Sequence, residues 1–277
     1  MTMDKELTRY FQGDHDVCGW PYPLYDRIRS QGRVVEWAGG PAKLLTHYQD
    51  VRAAMKKELP LHNDGYRYGR LAESVLNRLP EESKGVFHKV FDFETLYLTR
   101  NEGECHQRLR GSSHRAFLPR NINMLRDSIQ MHVDELIDEM ARSDTPDWKS
   151  QVSDRLPARV ISDLFGVPQS DRDRLWSFAE TIAAHFSMTE STLRDASQAL
   201  DEFGDYVSHL IENVRNTGEG AELTRGLIEA MDAGTLSEKE LVAMLLVMLF
   251  GGTETTTNLL GNGFAALQSH RSEWEKL

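Results

Sequence analysis

Apolar residues along most of this chain recur at the three-and-four spacing of a helix buried on one side. In residues 121–141 the positions Ile122, Leu125, Ile129, Val133, Leu136, Ile137 and Met140 keep that period, which predicts one long amphipathic helix. Residues 152–165 predict another, stopped by Gly166 and Pro168 in the order that usually ends a helix. Ser170 with Asp173 opens the next, through about Phe186. Residues 193–214 continue the pattern, 216–220 read as a turn and 223–231 as a short helix. The first hundred residues are less regular. Residues 1–30 read as polar and irregular until a helix over 23–30 that Gly32 stops, and residues 33–37 and 42–46 flank an Ala-Gly-Gly-Pro turn as a β-hairpin. A short helix over 50–57, a loop over 60–70 and a helical stretch near 71–79 follow. Residues 87–101 are aromatic without a clean period, so Phe87, Phe91, Phe93 and Tyr97 read as lining a pocket or, the simpler account, as pinning a loop to the surface.

The longest pattern is residues 236–269. Ser237 and Glu240 stand at capping-box spacing, and every residue from Leu241 to Phe250 is apolar, which predicts a helix enclosed on all sides. At roughly 1.5 Å per residue the stretch spans about 45 to 50 Å. Gly251-Gly252-Thr253-Glu254-Thr255-Thr256-Thr257 interrupts it with residues that are poor in a helix interior, glycine costing about 1 kcal/mol relative to alanine. Val247, Gly251, Glu254 and Thr255 share one face. Read functionally, Gly251 opens a small bay beside a hydroxyl and a carboxylate, with a carbonyl freed if the helix loosens. Read structurally, the glycines let another helix approach and the threonines bond back to carbonyls four residues earlier. A carboxylate in apolar surroundings needs partners in either case.

Composition narrows the classes. With 40% hydrophobic and 27% charged residues over 277 positions, the chain has the mix of a globular protein, and one mostly α-helical domain over 1–277 with a small hairpin is the simplest account. A net charge of -11 argues against nucleic acid and anionic membrane surfaces. Cys18 and Cys105 offer no CxxC pair, the start lacks a signal-peptide pattern and no apolar run reaches the length of a span, so a cytoplasmic protein is expected. No His-Glu-x-x-His or similar cluster supports a metal hydrolase. His106 and Arg110, four residues apart, present two donors that suit an anion or merely a solvated basic face. At the end, Ser272 and Glu275 form a second capping box that announces a helix with barely one turn left, from which the chain is expected to be cut.

Taken together, three segments resemble the cytochrome P450 family, the soluble bacterial heme-thiolate monooxygenases. Residues 251–256, Gly-Gly-Thr-Glu-Thr-Thr, are similar to the family's motif on its long central helix. His106 to Arg110, followed by Ala116-Phe117-Leu118-Pro119, resembles its His-x-x-x-Arg helix, and residues 156–168 resemble its helix ending in Gly-Val-Pro. The resemblance implies a cytochrome P450-like helical fold and heme b with its iron. It implies an apolar organic substrate and dioxygen, with a ferredoxin- or flavodoxin-type electron donor. By the same resemblance Glu254 and Thr255 would deliver protons, Gly251 and Gly252 would border the dioxygen site, His106 and Arg110 would hold the propionates, and Val247 and Phe250 would face the substrate. The family's Glu-x-x-Arg helix and cysteine ligand loop are not in the sequence, and neither Cys18 nor Cys105 matches the ligand position. The chain by itself is therefore expected to be inactive. The alternative is a catalytically dead helical protein that keeps the pocket for binding.

Overall fold

In the computed structural model, residues 2–11, 14–37, 43–56, 73, 75–187 and 189–277 are described. Contacts gather the chain into two compact units, 1–95 with 184–194 and 96–183 with 195–277. The first opens with helices where the sequence reading had irregular chain: α1 is Met3–Phe11 and α2 is His15–Cys18. Both carry the reason locally. Asp4 and Glu6 sit in the first turn of α1, where the helix dipole favours acids, and the Asp14 side chain accepts from Asp16 N to cap α2. Helix α3, Tyr22–Gln31, packs Leu24 and Ile28 with Leu7, Val17 and Val35 into a small core. Strands β1 (Val35–Glu36) and β2 (Lys43–Leu44) pair antiparallel, Val35 opposite Leu44 and Glu36 opposite Lys43. The expected hairpin turn, the loop over 60–70 and the start of the 71–79 stretch lie outside the described residues. Helix α4 is Tyr48–Met55.

Residues 81–94 overturn the aromatic-loop reading, because they form helix α5, Glu81–Glu94. Its buried face, Ser83, Phe87, Val90, Phe91 and Glu94, does follow a helical period. Two polar residues in that stripe hid it. Each has a partner in segment 184–194: Ser83 Oγ donates to Glu190 Oε1 at 2.8 Å, and Glu94 Oε1 meets His185 Nε2 at 2.6 Å with both side chains almost fully buried.

In the second unit, helix α6 is Gly103–His114, and the long helix expected over 121–141 is two, α7 (Pro119–Met124) and α8 (Arg126–Ala141). Leu125 tightens the junction by bonding its N–H to the Ile122 carbonyl three residues back. Helix α9, Arg155–Phe165, starts after a π-turn over Lys149–Ser153 and ends on Gly166 at φ 72°, where an added Cβ would lie 2.9 Å from Ala221 N. Helices α10 (Arg172–Ala183), α11 (Glu190–Thr217) and α12 (Glu222–Asp232) follow. Helix α13, Glu238–Ser269, is the long central helix of 32 residues and carries the expected box, with Glu240 N bonded to Ser237 Oγ and Ser237 N to Glu240 Oε2. The closing box does not form: α14 is only Arg271–Trp274, with His270 rather than Ser272 at its N-cap.

Candidate functional site

Between Leu241 and Gly263 the exposed positions on α13 fall at Gly251, Glu254, Thr255, Asn258, Leu259 and Asn262, a single stripe at three-and-four spacing. Leu249, Thr253 and Thr257 make the opposite, buried stripe. The sequence reading enclosed the apolar run on all sides and set Glu254 in apolar surroundings. The structure corrects both. The run is enclosed through Leu246, Val247 and Phe250 are half-buried, and Glu254 and Thr255 are exposed. Among the described residues none packs over that stripe tightly enough to exclude water, so the expected enclosure stops one turn short of the glycines.

The two glycines divide between the two readings. A Cβ on Gly252 would meet Ile161 Cδ1 of α9 at 2.9 Å, so this glycine allows close helix packing. A Cβ on Gly251 would meet nothing within 4 Å, so this glycine borders open space beside Glu254 and Thr255. The helix does not loosen here. Thr255 Oγ1 donates to the Gly251 carbonyl at 2.6 Å and Thr253 Oγ1 to the Leu249 carbonyl at 2.5 Å, as β-hydroxyls do mid-helix. Thr257 instead reaches across and donates to the Ser153 carbonyl at the end of the π-turn, 2.9 Å away and buried.

Helix α6 carries the second group of candidates. Its neighbouring Arg108, which the sequence reading did not single out, is the residue that ties α6 to α13. Its guanidinium donates to the Thr235 carbonyl and, through both Nη atoms, to the Glu240 carboxylate at 2.6 and 3.1 Å. That bidentate contact and the two bonds from Ser237 hold the Glu240 carboxyl far below its ordinary value, down to about 2. Half-buried His106 and exposed Arg110 lie one turn apart on this fixed helix, and neither side chain has a partner among the described residues. The cysteines serve local contacts: Cys105 Sγ lies 3.2 Å from Asn101 Oδ1, and Cys18 Sγ 3.3 Å from the Tyr10 carbonyl.

One further cluster invites comparison with nucleophilic catalysis and fails it. Ser128, His132 and Asp163 converge, but the serine hydroxyl and the carboxylate both face His132 Nε2, at 3.4 and 2.8 Å, and Ser128 also donates directly to Asp163. A serine-histidine-acid relay needs the two on opposite ring nitrogens. Burial pushes the Asp163 carboxyl up, but Ser128, His132 and Arg172 together hold it below the usual range, which marks a clasp between α8 and α9. Among the described residues no group of histidine, cysteine and acidic side chains is placed to hold a metal ion, and no helix is long and apolar enough to cross a membrane.

Comparison with known proteins gives one consistent answer. The family model for cytochrome P450 matches residues 69–277. The chain is 35% identical over 264 residues to the polyketide biosynthesis cytochrome P450 PksS of Bacillus subtilis, covering 93% of this chain and 62% of that protein. It is 30% identical over 253 residues to a vitamin D(3) 25-hydroxylase of Pseudonocardia autotrophica, covering 90% of this chain and 58% of that protein. The solved structure of PksS superposes with a TM-score of 0.75 at 32% identity, over 95% of this chain and 63% of that one. The chain thus spans about three fifths of the length of the relatives it matches.

Proposed function

This chain belongs to the cytochrome P450 family, and from that premise we propose that it is the part of a heme-thiolate monooxygenase that carries the distal wall and a propionate-binding helix. The whole protein inserts one oxygen atom of dioxygen into an apolar organic substrate, with electrons from a ferredoxin- or flavodoxin-type donor, in the cytoplasm. Heme b, the family's cofactor, supplies the iron on which dioxygen is activated.

The residues present fit that cofactor. His106 and Arg110 form a pair of donors one turn apart with no partner among the described residues, and such donors suit two carboxylates. Arg108 cannot take that role, because Thr235 and Glu240 already use its guanidinium. The single observation that carries the reading is the open space at Gly251 on the same stripe as Glu254 and Thr255. Gly251 leaves room there for a diatomic ligand. The Thr255 hydroxyl spends its proton on the Gly251 carbonyl, so its oxygen faces outward as an acceptor. Glu254, one residue away, is exposed to water, and the two together form a short route for a proton to the open space. Val247 and Phe250, half-buried before the notch, offer apolar surface to a substrate.

The test has two parts. For the chain alone, reduction under carbon monoxide is expected to give no thiolate-type Soret band, since both cysteines serve other contacts; such a band would overturn this part. For the heme-loaded protein that contains this chain, Thr255→Ala is expected to keep reductant consumption while product falls at least tenfold and peroxide rises. Unchanged coupling in Thr255→Ala and in Glu254→Gln would sink the proton-route assignment. The exposure of Glu254 and Thr255 favours one second reading, a helical protein that uses this stripe to bind rather than to oxidise. Tight heme-independent binding of an apolar compound, lost in Gly251→Leu, distinguishes it.

A further inference from the structure

The first unit contains a cavity of about 410 Å³ that the function above does not use. It lies between α1, α3, β2 and α4, beside the small core of that unit. Its floor is apolar, built from Leu7, Ile28, Leu44 and Leu45. The volume falls in the range of small-molecule sites, roughly 300 to 1,000 Å³. At about 30 Å³ for each water-sized group it holds a chain of roughly ten carbons.

Polar groups on its wall are donors. Tyr10 and Tyr25 line it with their hydroxyls 2.6 Å apart, an arrangement that uses one of two O–H protons and leaves the other for a guest. Burial pushes the Tyr25 hydroxyl up to about 12, so its proton stays in place at neutral pH. Among the described residues the buried Thr46 Oγ1, on the cavity wall, has no hydrogen-bond partner. Buried polar atoms in folded proteins are nearly always bonded, and this hydroxyl is free to bond a guest. Arg29 and Lys43 supply two positive charges, and the described lining residues include no carboxylate, in a chain of 43 acids and 32 bases. Both cations have pairs outside the cavity, Arg29 with Asp26 and Lys43 with Glu36, but these pairs are solvent-exposed and weak enough to exchange for a bound anion.

We propose that this cavity is a second binding site, for a medium-chain carboxylate whose tail fills the space among Leu7, Ile28, Leu44 and Leu45 and whose head group is held by Arg29, Lys43 and the Tyr10–Tyr25 hydroxyl pair. The site is made entirely of residues from the first unit, and its occupancy does not depend on heme or on the central helix.

Titration calorimetry with decanoate, below its micelle concentration, tests it, with decanol as the uncharged match. Saturable binding at one site per chain is expected, with decanoate preferred over decanol by about three- to tenfold. Leu45→Trp narrows the cavity and is expected to weaken binding of both at least tenfold, with circular dichroism confirming that the variant is folded. Arg29→Gln with Lys43→Gln changes only partly exposed side chains and is expected to erase the preference while decanol still binds. Absence of saturable binding overturns the proposal. Binding unchanged in Leu45→Trp also overturns it, since the ligand then sits elsewhere, and a decanoate preference that survives the double change overturns the head-group assignment.

Discussion

Glu240→Gln isolates the contact that fixes α6 against α13. Glutamine keeps an oxygen that can accept from Ser237 N, so the cap survives in part, but the charge opposite Arg108 is lost. The fall of the Glu240 carboxyl from 4.5 to about 2 corresponds, at 1.36 kcal/mol per pH unit, to at most about 3 kcal/mol. Glu240 is only 15% exposed, whereas Arg108 is 37% exposed and lies partly in water, which screens the pair. A loss of about 1 to 2 kcal/mol at pH 7 is therefore expected. Because the folded-state value lies below the unfolded one, the wild-type advantage is complete above about pH 4.5 and drains away as pH falls toward 2. Urea unfolding followed by far-ultraviolet circular dichroism, at steps from pH 7 to pH 3, measures both the size and the slope. Equal stability at pH 7, or a gap that stays constant down to pH 3, would refute the assignment of that low carboxyl to the Arg108 contact.

Three other substitutions follow from the same packing. Gly251→Ala adds a methyl where nothing lies within 4 Å and is expected to stabilise the helix by up to about 1 kcal/mol, while Gly252→Val drives two methyls into buried Ile161 and costs about 1 to 3 kcal/mol; urea midpoints that move alike in both would contradict the division of labour. Glu94→Ala removes the carboxylate that meets His185 in this buried pair and is expected to cost about 3 to 5 kcal/mol, whereas Glu94→Leu with His185→Leu recovers much of it, so a double variant as unstable as the single one would count against the pair as the source of the loss. Thr257→Val keeps the shape but removes the bond to the Ser153 carbonyl, for an expected loss of about 1 kcal/mol in the same assay, and a neutral result would mean that the carbonyl finds water instead.

Much of this architecture was legible from spacing. The central helix announced itself by Ser237 with Glu240 and a ten-residue apolar run, and α9 by Gly166 at its end, because caps and positive-φ glycines are local chemistry. What escaped were features decided by partners distant in sequence. Helix α5 hides its period behind Ser83 and Glu94, which count as polar until Glu190 and His185 arrive from 107 and 91 residues further along the chain. Arg108 looked like one more charge on a basic helix, since nothing local shows that Glu240 lies opposite. At the candidate site, the shared face of Gly251, Glu254 and Thr255 followed from helical geometry, but its exposure did not, because a run of apolar residues gives no sign of which flank lacks a cover. Gly251 and Gly252 are identical letters, and only the position of Ile161 tells them apart.

That last contact sets how the central helix is clocked about its own axis. Ile161 against Gly252 and the Thr257 hydroxyl hooked over the Ser153 carbonyl act as two stops about one and a half turns apart that resist rolling of the rod. The azimuth of Thr255 is thereby inherited from the helix behind it. Any adjustment of its oxygen must come from spinning about the Cα–Cβ bond and letting go of the Gly251 carbonyl, a picosecond-to-nanosecond event for an exposed side chain, rather than from movement of the scaffold.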